Sequence, residues 1–363
     1  MKNIGIITIN IGDNYGNILQ NYALSKFLIN KGYTVSTIKY TPKYDLKLRY
    51  GFLKYIFMRI KSVFINHTPI KKHYVVKENR YMDERHNKFD NFRNKYIQYS
   101  QEQYNPESDF KNLDLVYDCY VIGSDQIWNP YWDGSNCFNF ASFTKKRKIA
   151  YAPSIGVESI PKKQESFYKK MLENFHVLSC REKSGANELN RLTSKPVKVV
   201  LDPTLLLTEL EWNRLIDDSN NKSVNDEYFL LYFLGEVPQN FNELLKTSNK
   251  YINISPSANT NVSPGPIEFL ALIKNAKKIY TDSFHGTVFS IIFNKDFSIF
   301  SRLTEQKKES MDSRIDSLLE ILELSHIKNK MDHETIDYSK VNKILELERE
   351  KSSLFLCEAL IND

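Results

Sequence analysis

The chain has 363 residues, a length that one hydrophobic core rarely supports, so two domains are expected. Its 41% hydrophobic and 26% charged residues are typical of a globular protein, and no apolar run approaches the roughly 20 residues of a membrane-spanning helix. A formal charge of +6 favours an anionic partner but does not indicate nucleic acid, and none is predicted. The four cysteines show no paired or metal-like spacing, which predicts reduced thiols, a cytoplasmic protein and no metal site.

Short apolar runs alternate with helical patterns along the chain. The first run, at 4–9, precedes a loop rich in turn formers and a helix that is predicted to end near Gly32. A second run at 35–40 completes a β–loop–α–β unit, which is typical of the opening of a doubly wound sheet. Further strands are predicted at 117–122, 148–152, 176–179, 197–201, 228–234, 251–254, 277–280 and 297–300.

Two such series predict an α/β fold with two Rossmann-like domains that face a central cleft. The first predicted domain covers 1–205 and carries a basic insertion near 43–98, and the second covers 206–332. Residues 333–363 form a charged amphipathic pattern, which predicts one C-terminal helix that packs back on the body.

Polar clusters follow several of these strands, and in open α/β sheets ligands bind beyond the carboxyl ends of the strands. Residues 123–130 combine Ser, Asp, Gln, Trp and Asn, groups that can hydrogen-bond a polyol and stack on its apolar face. An Asx turn capped by a buried Trp is the alternative. Residues 14–17 offer two amides and a ring to sugar hydroxyls, and a tight turn that needs glycine explains them equally well.

The segment 281–287 joins the end of an apolar run to a helix-compatible run. A helix that begins there directs its free N–H groups and its positive dipole end into the turn, where a phosphate or carboxylate binds. His285 adds a titratable donor, and Gly286 would let a ligand approach the backbone. A capped helix with a hydrogen-bonded histidine is the alternative.

Arginines follow other strands of the same pattern. Arg181 comes directly after the 176–179 strand, where Glu182 would orient it, and arginine is suited to bidentate binding of carboxylate or phosphate. Arg302 and Arg314 follow the 297–300 strand and would complete an anion site beside the histidine. A surface Arg–Glu pair and a solvated loop are the alternatives.

The stretch 43–72 carries eight Lys or Arg residues against one acid, with Leu, Ile and Phe between them at helical spacing. A basic amphipathic helix rich in aromatic residues predicts peripheral contact with an anionic membrane through 43–72. A helix that packs on the core and has a basic outer side is equally consistent with this pattern.

Seven ordered motifs resemble those of the polysaccharide pyruvyl transferase family, and the resemblance runs from residue 3 to about 325. The strongest are N-Y-G-x-x-L-Q-x-Y-A-L at 14–24, G-S-D-Q-x-W-N at 123–129 and D-S-F-H-G at 282–286. The segments 151–154, 179–182, 201–204 and 310–314 also resemble the family.

The resemblance implies a GT-B-like architecture and transfer of pyruvate from phosphoenolpyruvate to two hydroxyls of a sugar, which gives a cyclic ketal and phosphate. It also implies a cell-surface polysaccharide precursor as acceptor, often lipid-linked, so the enzyme would work at the inner face of the plasma membrane. No cofactor is expected besides phosphoenolpyruvate as co-substrate. In relatives the arginine of S-x-R-[DE] and the histidine of D-S-F-H-G contact the donor, which assigns these roles to Arg181 and His285.

The predicted site residues fall into three groups. The catalytic candidates are His285 as acid or phosphate partner, with Asp13 and Asp125 as bases for the sugar hydroxyls. Donor binding is predicted for Arg181, Ser283, His285, Gly286, Arg302 and Arg314. Acceptor binding is predicted for Asn14, Tyr15, Asn17, Gln126, Trp128 and Asn129. A GT-B nucleotide-sugar glycosyltransferase and a non-catalytic glycan- or membrane-binding protein are the open alternatives.

Overall fold

The computed structural model describes residues 2–10, 12–41, 72–131, 136–218, 227–238, 241, 250–256, 262–302, 312–331 and 334–361. The predicted membrane-contacting stretch 43–72 lies outside these ranges except for its last residue. Within the described residues, no helix is long and apolar enough to cross a bilayer.

The first sheet is built from five parallel strands in the order β3-β2-β1-β4-β5. They are β1 (Asn3–Ile7), β2 (Thr34–Tyr40), β3 (Tyr99–Tyr104), β4 (Cys119–Ile122) and β5 (Arg147–Ala150). Strands β6 (Leu178–Cys180) and β7 (Val197–Val199) pair in parallel, and a bridge between Ile149 and Val177 joins them to β5. The strand order reverses between β1 and β4, which is the point where ligands bind in such sheets.

The second sheet is also parallel, in the order β11-β10-β8-β9. It contains β8 (Phe229–Tyr232), β9 (Tyr251–Asn253), β10 (Lys278–Thr281) and β11 (Asp296–Ile299). Its order reverses between β8 and β10. Two parallel sheets of this type confirm the predicted α/β fold of two Rossmann-like, GT-B-like units.

Ten α-helices connect or cover these strands within the described ranges. They are α1 (Tyr15–Asn30), α2 (Lys72–Tyr96), α3 (Leu113–Val116), α4 (Lys162–Leu172), α5 (Lys183–Leu192), α6 (Glu209–Asp217), α7 (Pro266–Asn275), α8 (Phe284–Ile292), α9 (Ser313–Ile321) and α10 (Tyr338–Ile361). The helix predicted after the first loop is α1, and the predicted C-terminal helix is α10.

Helix α1 lies between the two sheets, and most of its residues are buried. The Tyr15 ring stacks on Phe269 of α7 with centroids 4.2 Å apart, and its hydroxyl donates to the Pro264 carbonyl at 2.7 Å. One hydrophobic core runs from Leu19 and Leu24 of this helix to Phe289 of α8. The first turn of α1 is therefore fixed at the junction of the two sheets.

Helix α10 packs back on the first sheet. Its Ser352 hydroxyl accepts from the Leu201 amide at 3.0 Å, and its Ala359 and Leu360 carbonyls accept from Arg147 and Lys2. The Tyr338 hydroxyl at the other end of the helix donates to the Lys295 carbonyl beside β11. The helix thus contacts elements of both sheets.

Candidate active site

A cluster of buried charged side chains lies at the carboxyl ends of the strands of both sheets. Asp125 follows β4, Arg181 follows β6 and Asp202 follows β7, while His285 comes from the first turn of α8 after β10. All four residues are buried. Because charged groups are rarely buried without partners, this cluster is the strongest candidate for a functional site.

Arg181 binds two carboxylates at once. Its Nη1 donates to Asp202 Oδ2 at 2.7 Å, and its Nη2 donates to Asp125 Oδ1 at 2.9 Å. The guanidinium carbon lies 4.3 Å from the centre of the Phe284 ring, a cation–π contact across the two sheets. Nε of Arg181 is buried and makes no hydrogen bond.

Asp202 connects Arg181 with His285. Its Oδ1 accepts from the amide and hydroxyl of Thr204 at 3.0 and 2.7 Å, and its Oδ2 also accepts from the Ser124 hydroxyl at 3.0 Å. His285 Nε2 lies 3.8 Å from Oδ1, within ion-pair distance. The predicted donor residues Arg181 and His285 therefore share one carboxylate.

The charges of the cluster stabilise one another. Burial alone would raise the pKa of Asp125, but the nearby charges of Arg181, His285 and Arg314 outweigh it and hold the pKa below its usual range. Burial acts in the same way on Asp202, where the charges of His285 and Arg181 and hydrogen bonds from Thr204 outweigh it and lower the pKa. Burial would lower the pKa of Arg181, but Asp125 and Asp202 raise it. Both carboxylates are thus charged at neutral pH.

Helix α8 begins as the sequence predicts. Ser283 is its N-cap, and its hydroxyl accepts from the Gly286 amide at 3.3 Å. Gly286 also has a packing reason to be glycine, because a Cβ at this position would lie 2.6 Å from Thr281 Oγ1 and 3.2 Å from the Tyr232 ring. This glycine allows close packing of the helix on β8 and β10, and its predicted role in donor binding stays a prediction.

Two further arginines lie beside the cluster. Arg302 follows β11, and its Nε lies 3.4 Å from Asp282 Oδ2. Arg314, in the first turn of α9, is buried, and burial together with the Arg181 charge lowers its pKa to about 10.

Glu182 does not orient Arg181 as predicted. Its Oε1 accepts from the Ser154 hydroxyl at 2.8 Å and from the Ile155 amide at 3.0 Å, while its Oε2 lies 3.9 Å from Arg181 Nε. Glu182 therefore fixes the loop after β5. Asp125 has the role predicted for Glu182, and as a carboxylate bound to arginine with a lowered pKa it is a weak base, which argues against its predicted catalytic role.

Two predicted acceptor residues are wrong, because both side chains are fully buried. Trp128 stacks on Phe140 with centroids 4.9 Å apart, and its indole N–H donates to the Asn139 carbonyl at 3.0 Å. This is the buried Trp that the alternative interpretation described. Tyr15, in the first turn of α1, is enclosed by aromatic rings of α2, α7 and β8 and presents no face to a ligand.

The other predicted acceptor residues occupy two places. Asn14 caps α1 and accepts from the Asn17 amide at 3.1 Å, and it is exposed while Asn17 is half-buried. Gln126 and Asn129 are buried with polar side-chain atoms 2.7 Å apart, and when the Gln126 amide is turned over, its oxygen accepts from Arg314 Nη1 at 2.9 Å instead. Asn14 and Asn17 thus lie towards the surface beside the cluster, whereas Gln126 and Asn129 are buried next to it.

Asp13 is held by helix α2 and not by the cluster. Arg93 Nη2 donates to its Oδ1 at 2.9 Å, and His86 Nδ1 lies 3.0 Å from its Oδ2. Arg85 also donates to the Asp13 carbonyl at 3.0 Å. Its predicted role as a base stays a prediction.

Replacing Tyr15 and Asn14 tests whether Tyr15 is a core residue and Asn14 is the cap of α1. We expect Tyr15→Ala to lower the free energy of unfolding by about 3–5 kcal/mol because it removes a buried ring. Asn14→Ala should cost about 1 kcal/mol, the value of an N-cap. Urea unfolding measures both losses. A Tyr15→Ala protein as stable as the Asn14→Ala protein would contradict the burial of the Tyr15 ring against Phe269.

For three residues of the site, the sequence led to no predicted role. Asp202, Ser124 and Gln20 link β7, β4 and α1, and the Gln20 carboxamide accepts from the Ser124 amide at 2.9 Å. All three lie in motifs that resemble the family, which was the available signal.

The fold and the cluster define an α/β protein with a polar site at the carboxyl edges of two parallel sheets. The chain belongs to the polysaccharide pyruvyl transferase family, whose sequence model matches residues 14–302. This membership supports a transferase of polysaccharide biosynthesis. No curated protein matches the chain.

Several solved structures are similar to it at low identity. UDP-GlcNAc 2-epimerase of Methanocaldococcus jannaschii, in complex with UDP-GlcNAc and UDP, is 14% identical, with 99% of each chain covered and a TM-score of 0.45. The S. aureus MnaA–UDP structure is 13% identical, covers 99% of this chain and 91% of its own, and has a TM-score of 0.46. UDP-GlcNAc 2-epimerase of Neisseria meningitidis, bound to UDP-GlcNAc, is 11% identical over 100% of both chains, with a TM-score of 0.44.

Proposed function

We propose that the protein transfers pyruvate from phosphoenolpyruvate to two hydroxyls of one sugar in a cell-surface polysaccharide precursor. The observation that carries the proposal is the convergence of Arg181 and His285 on Asp202, beside Arg302 and Arg314. Phosphoenolpyruvate carries a phosphate and a carboxylate, so its site needs several cations and N–H donors. Family membership supports pyruvate as the transferred group.

In the proposed reaction, a proton is added to the methylene carbon of phosphoenolpyruvate, and a sugar hydroxyl attacks C2. Phosphate then leaves, and the neighbouring hydroxyl attacks C2 to close the ketal. The two hydroxyls lose two protons, of which one balances the new methyl group and the other leaves with the phosphate. These steps need an acid, and they need stabilisation of the leaving phosphate.

His285 is the proposed acid. It lies in the first turn of α8, so the positive end of the helix dipole lies beside the imidazole and favours an anion there. Its Nε2 is buried and makes no hydrogen bond. Arg314 and Arg302 are the proposed partners of the donor's charged groups, because both terminal nitrogens of Arg181 donate to carboxylates.

The acceptor is proposed to bind at the loop after β1 and the first turn of α1, where Asn14 and Asn17 supply amide groups. This loop leads into Gly16, which contacts His285, so a sugar held there would lie beside the proposed acid. A lipid carrier and membrane contact through 43–72 remain part of the proposal. They would place a lipid-linked sugar within reach of a peripheral enzyme.

Phosphate release separates this proposal from the alternatives. We expect inorganic phosphate to be released from phosphoenolpyruvate only when a lipid-linked or oligosaccharide acceptor is present. Release of a nucleotide from a nucleotide sugar with the same acceptors would favour the glycosyltransferase. Binding of glycan with no turnover of either donor would favour the non-catalytic alternative.

A further inference from the structure

Asp202 lies where three elements meet, and its side chain is completely buried. The loop after β6 contributes Arg181, the turn after β7 contributes Thr204, and the first turn of α8 contributes His285. The two carboxylate oxygens have separate partners, since Oδ2 binds Arg181 and Oδ1 binds Thr204 and faces His285. One carboxylate thus holds groups that come from both sheets.

The two nitrogens of His285 face different elements. Nε2 is buried, makes no hydrogen bond and lies 3.8 Å from Asp202 Oδ1. Nδ1 faces the first turn of α1, where a Cβ built on Gly16 would lie 2.0 Å from Nδ1 and 2.5 Å from Cε1. The ring occupies this position only because residue 16 has no side chain.

We propose that Asp202 is a positioning residue that accepts a hydrogen bond from Nε2–H of His285 and leaves Nδ1 to exchange the proton in the reaction. This inference rests on the proposed function for the identity of the reaction. A carboxylate beside one ring nitrogen selects the tautomer that carries its proton there, so the other nitrogen is free for chemistry. A distance of 3.8 Å is long for a hydrogen bond, and such contacts commonly shorten when substrate binds.

The other carboxylates nearby are less suited to this role. Glu182 is bound by the loop after β5, and Asp125 Oδ1 is bound by Arg181. Among the residues that the structure describes, the charged and titratable groups that face Asp202 and His285 include Arg181, Asp125 and Tyr151. Arg181 and Asp125 form an ion pair, and the Tyr151 hydroxyl donates to the Leu201 carbonyl at 3.1 Å.

Nuclear magnetic resonance of the ring nitrogens tests the proposal without any assay. The protein has seven histidines, which can be labelled with ¹⁵N, and His285→Gln identifies the signals of this ring. At alkaline pH we expect the neutral His285 ring to carry its proton on Nε2. In Asp202→Asn we expect a mixture of the two tautomers. A dominant Nδ1–H tautomer in the unsubstituted protein, or the same populations in Asp202→Asn, would overturn the proposal.

The pH dependence of turnover gives a second readout. Removal of a negative charge beside an imidazole disfavours its charged form, and here Arg181 stays nearby. In Asp202→Asn we therefore expect the alkaline limb of kcat to move to lower pH. Ser124→Ala removes one hydrogen bond to Asp202 and no charge, so its alkaline limb should not move. A uniform loss of kcat at every pH would indicate a merely structural role.

Gly16 allows a test that needs no Asp202 variant. With His285 present, Gly16→Ala should lower the free energy of unfolding, because the new methyl group would overlap the ring. With His285→Ala, the same change should be neutral or stabilising, since alanine favours a helix. An equal loss of unfolding free energy with and without the His285 side chain would contradict the contact between Gly16 and the His285 ring. If no acceptor supports phosphate release, the proposed function fails. The tautomer measurement and the unfolding of the Gly16 and His285 variants would still test the roles of Asp202 and Gly16.

Discussion

His285→Gln is expected to lower kcat by about 10²–10⁴-fold, the usual contribution of a proton-transfer group. The KM for phosphoenolpyruvate should change much less, because the arginines beside the cluster still bind its charged groups. Glutamine keeps hydrogen-bonding groups in the first turn of α8 but cannot donate a proton to carbon. The effect should therefore appear in turnover.

His326→Gln is the matched control, because this histidine is exposed on the short 3₁₀ turn Ser325–Ile327. Its kcat and KM should stay at the values of the unsubstituted protein. Phosphate release from phosphoenolpyruvate at saturating acceptor measures both variants. A His285→Gln enzyme within a few-fold of the unsubstituted kcat would remove this residue from the acid role.

Arg181→Ala is expected to have the largest effect on stability. It leaves the carboxylates of Asp125 and Asp202 buried without their shared cation, and breaking a buried ion pair in this way typically costs about 3–5 kcal/mol. Arg181→Lys should recover only part of this loss, because one ammonium group cannot span two carboxylates in the geometry of the guanidinium fork. Urea unfolding at neutral pH measures these losses.

Arg191 provides the comparison for Arg181. It also contacts two carboxylates, those of Glu165 and Glu188, but about half of its side chain is exposed. After Arg191→Ala, Glu165 stays partly in water and Glu188 keeps its hydrogen bond from the Ile160 amide, so the loss of stability should be much smaller. Equal losses in the two alanine variants would show that burial does not make the ion pairs of Arg181 with Asp125 and Asp202 more important for stability than those of Arg191.

The sequence predicts most strands because both sheets are parallel and their strands are short apolar runs between turn formers. Strand β3 was missed, since Tyr99–Tyr104 reads Tyr-Ser-Gln-Glu-Gln-Tyr and lies at the edge of the first sheet, where three of its residues are exposed. Helix α8 and its cap were predicted because Asp-Ser-Phe-His-Gly follows an apolar run directly.

The site was harder to predict than the fold. Arg181 and His285 could be assigned to one site because both follow strands, but nothing local shows that Asp202 lies between them. That contact depends on how the two sheets meet across α1. The orientation of Trp128 likewise depends on Phe140, which lies in a separate 3₁₀ turn. A motif indicates which residues matter, and the tertiary arrangement determines which of them face a ligand.

The most direct test of the account is mass spectrometry of an acceptor after incubation with phosphoenolpyruvate and the protein, using a panel of lipid-linked and soluble oligosaccharides. The account predicts a product whose mass equals that of the acceptor plus pyruvate minus one water, formed together with one phosphate per transfer. His285→Gln should form this product far more slowly. An acceptor that gains a sugar from a nucleotide sugar, with phosphoenolpyruvate unchanged, would contradict the account.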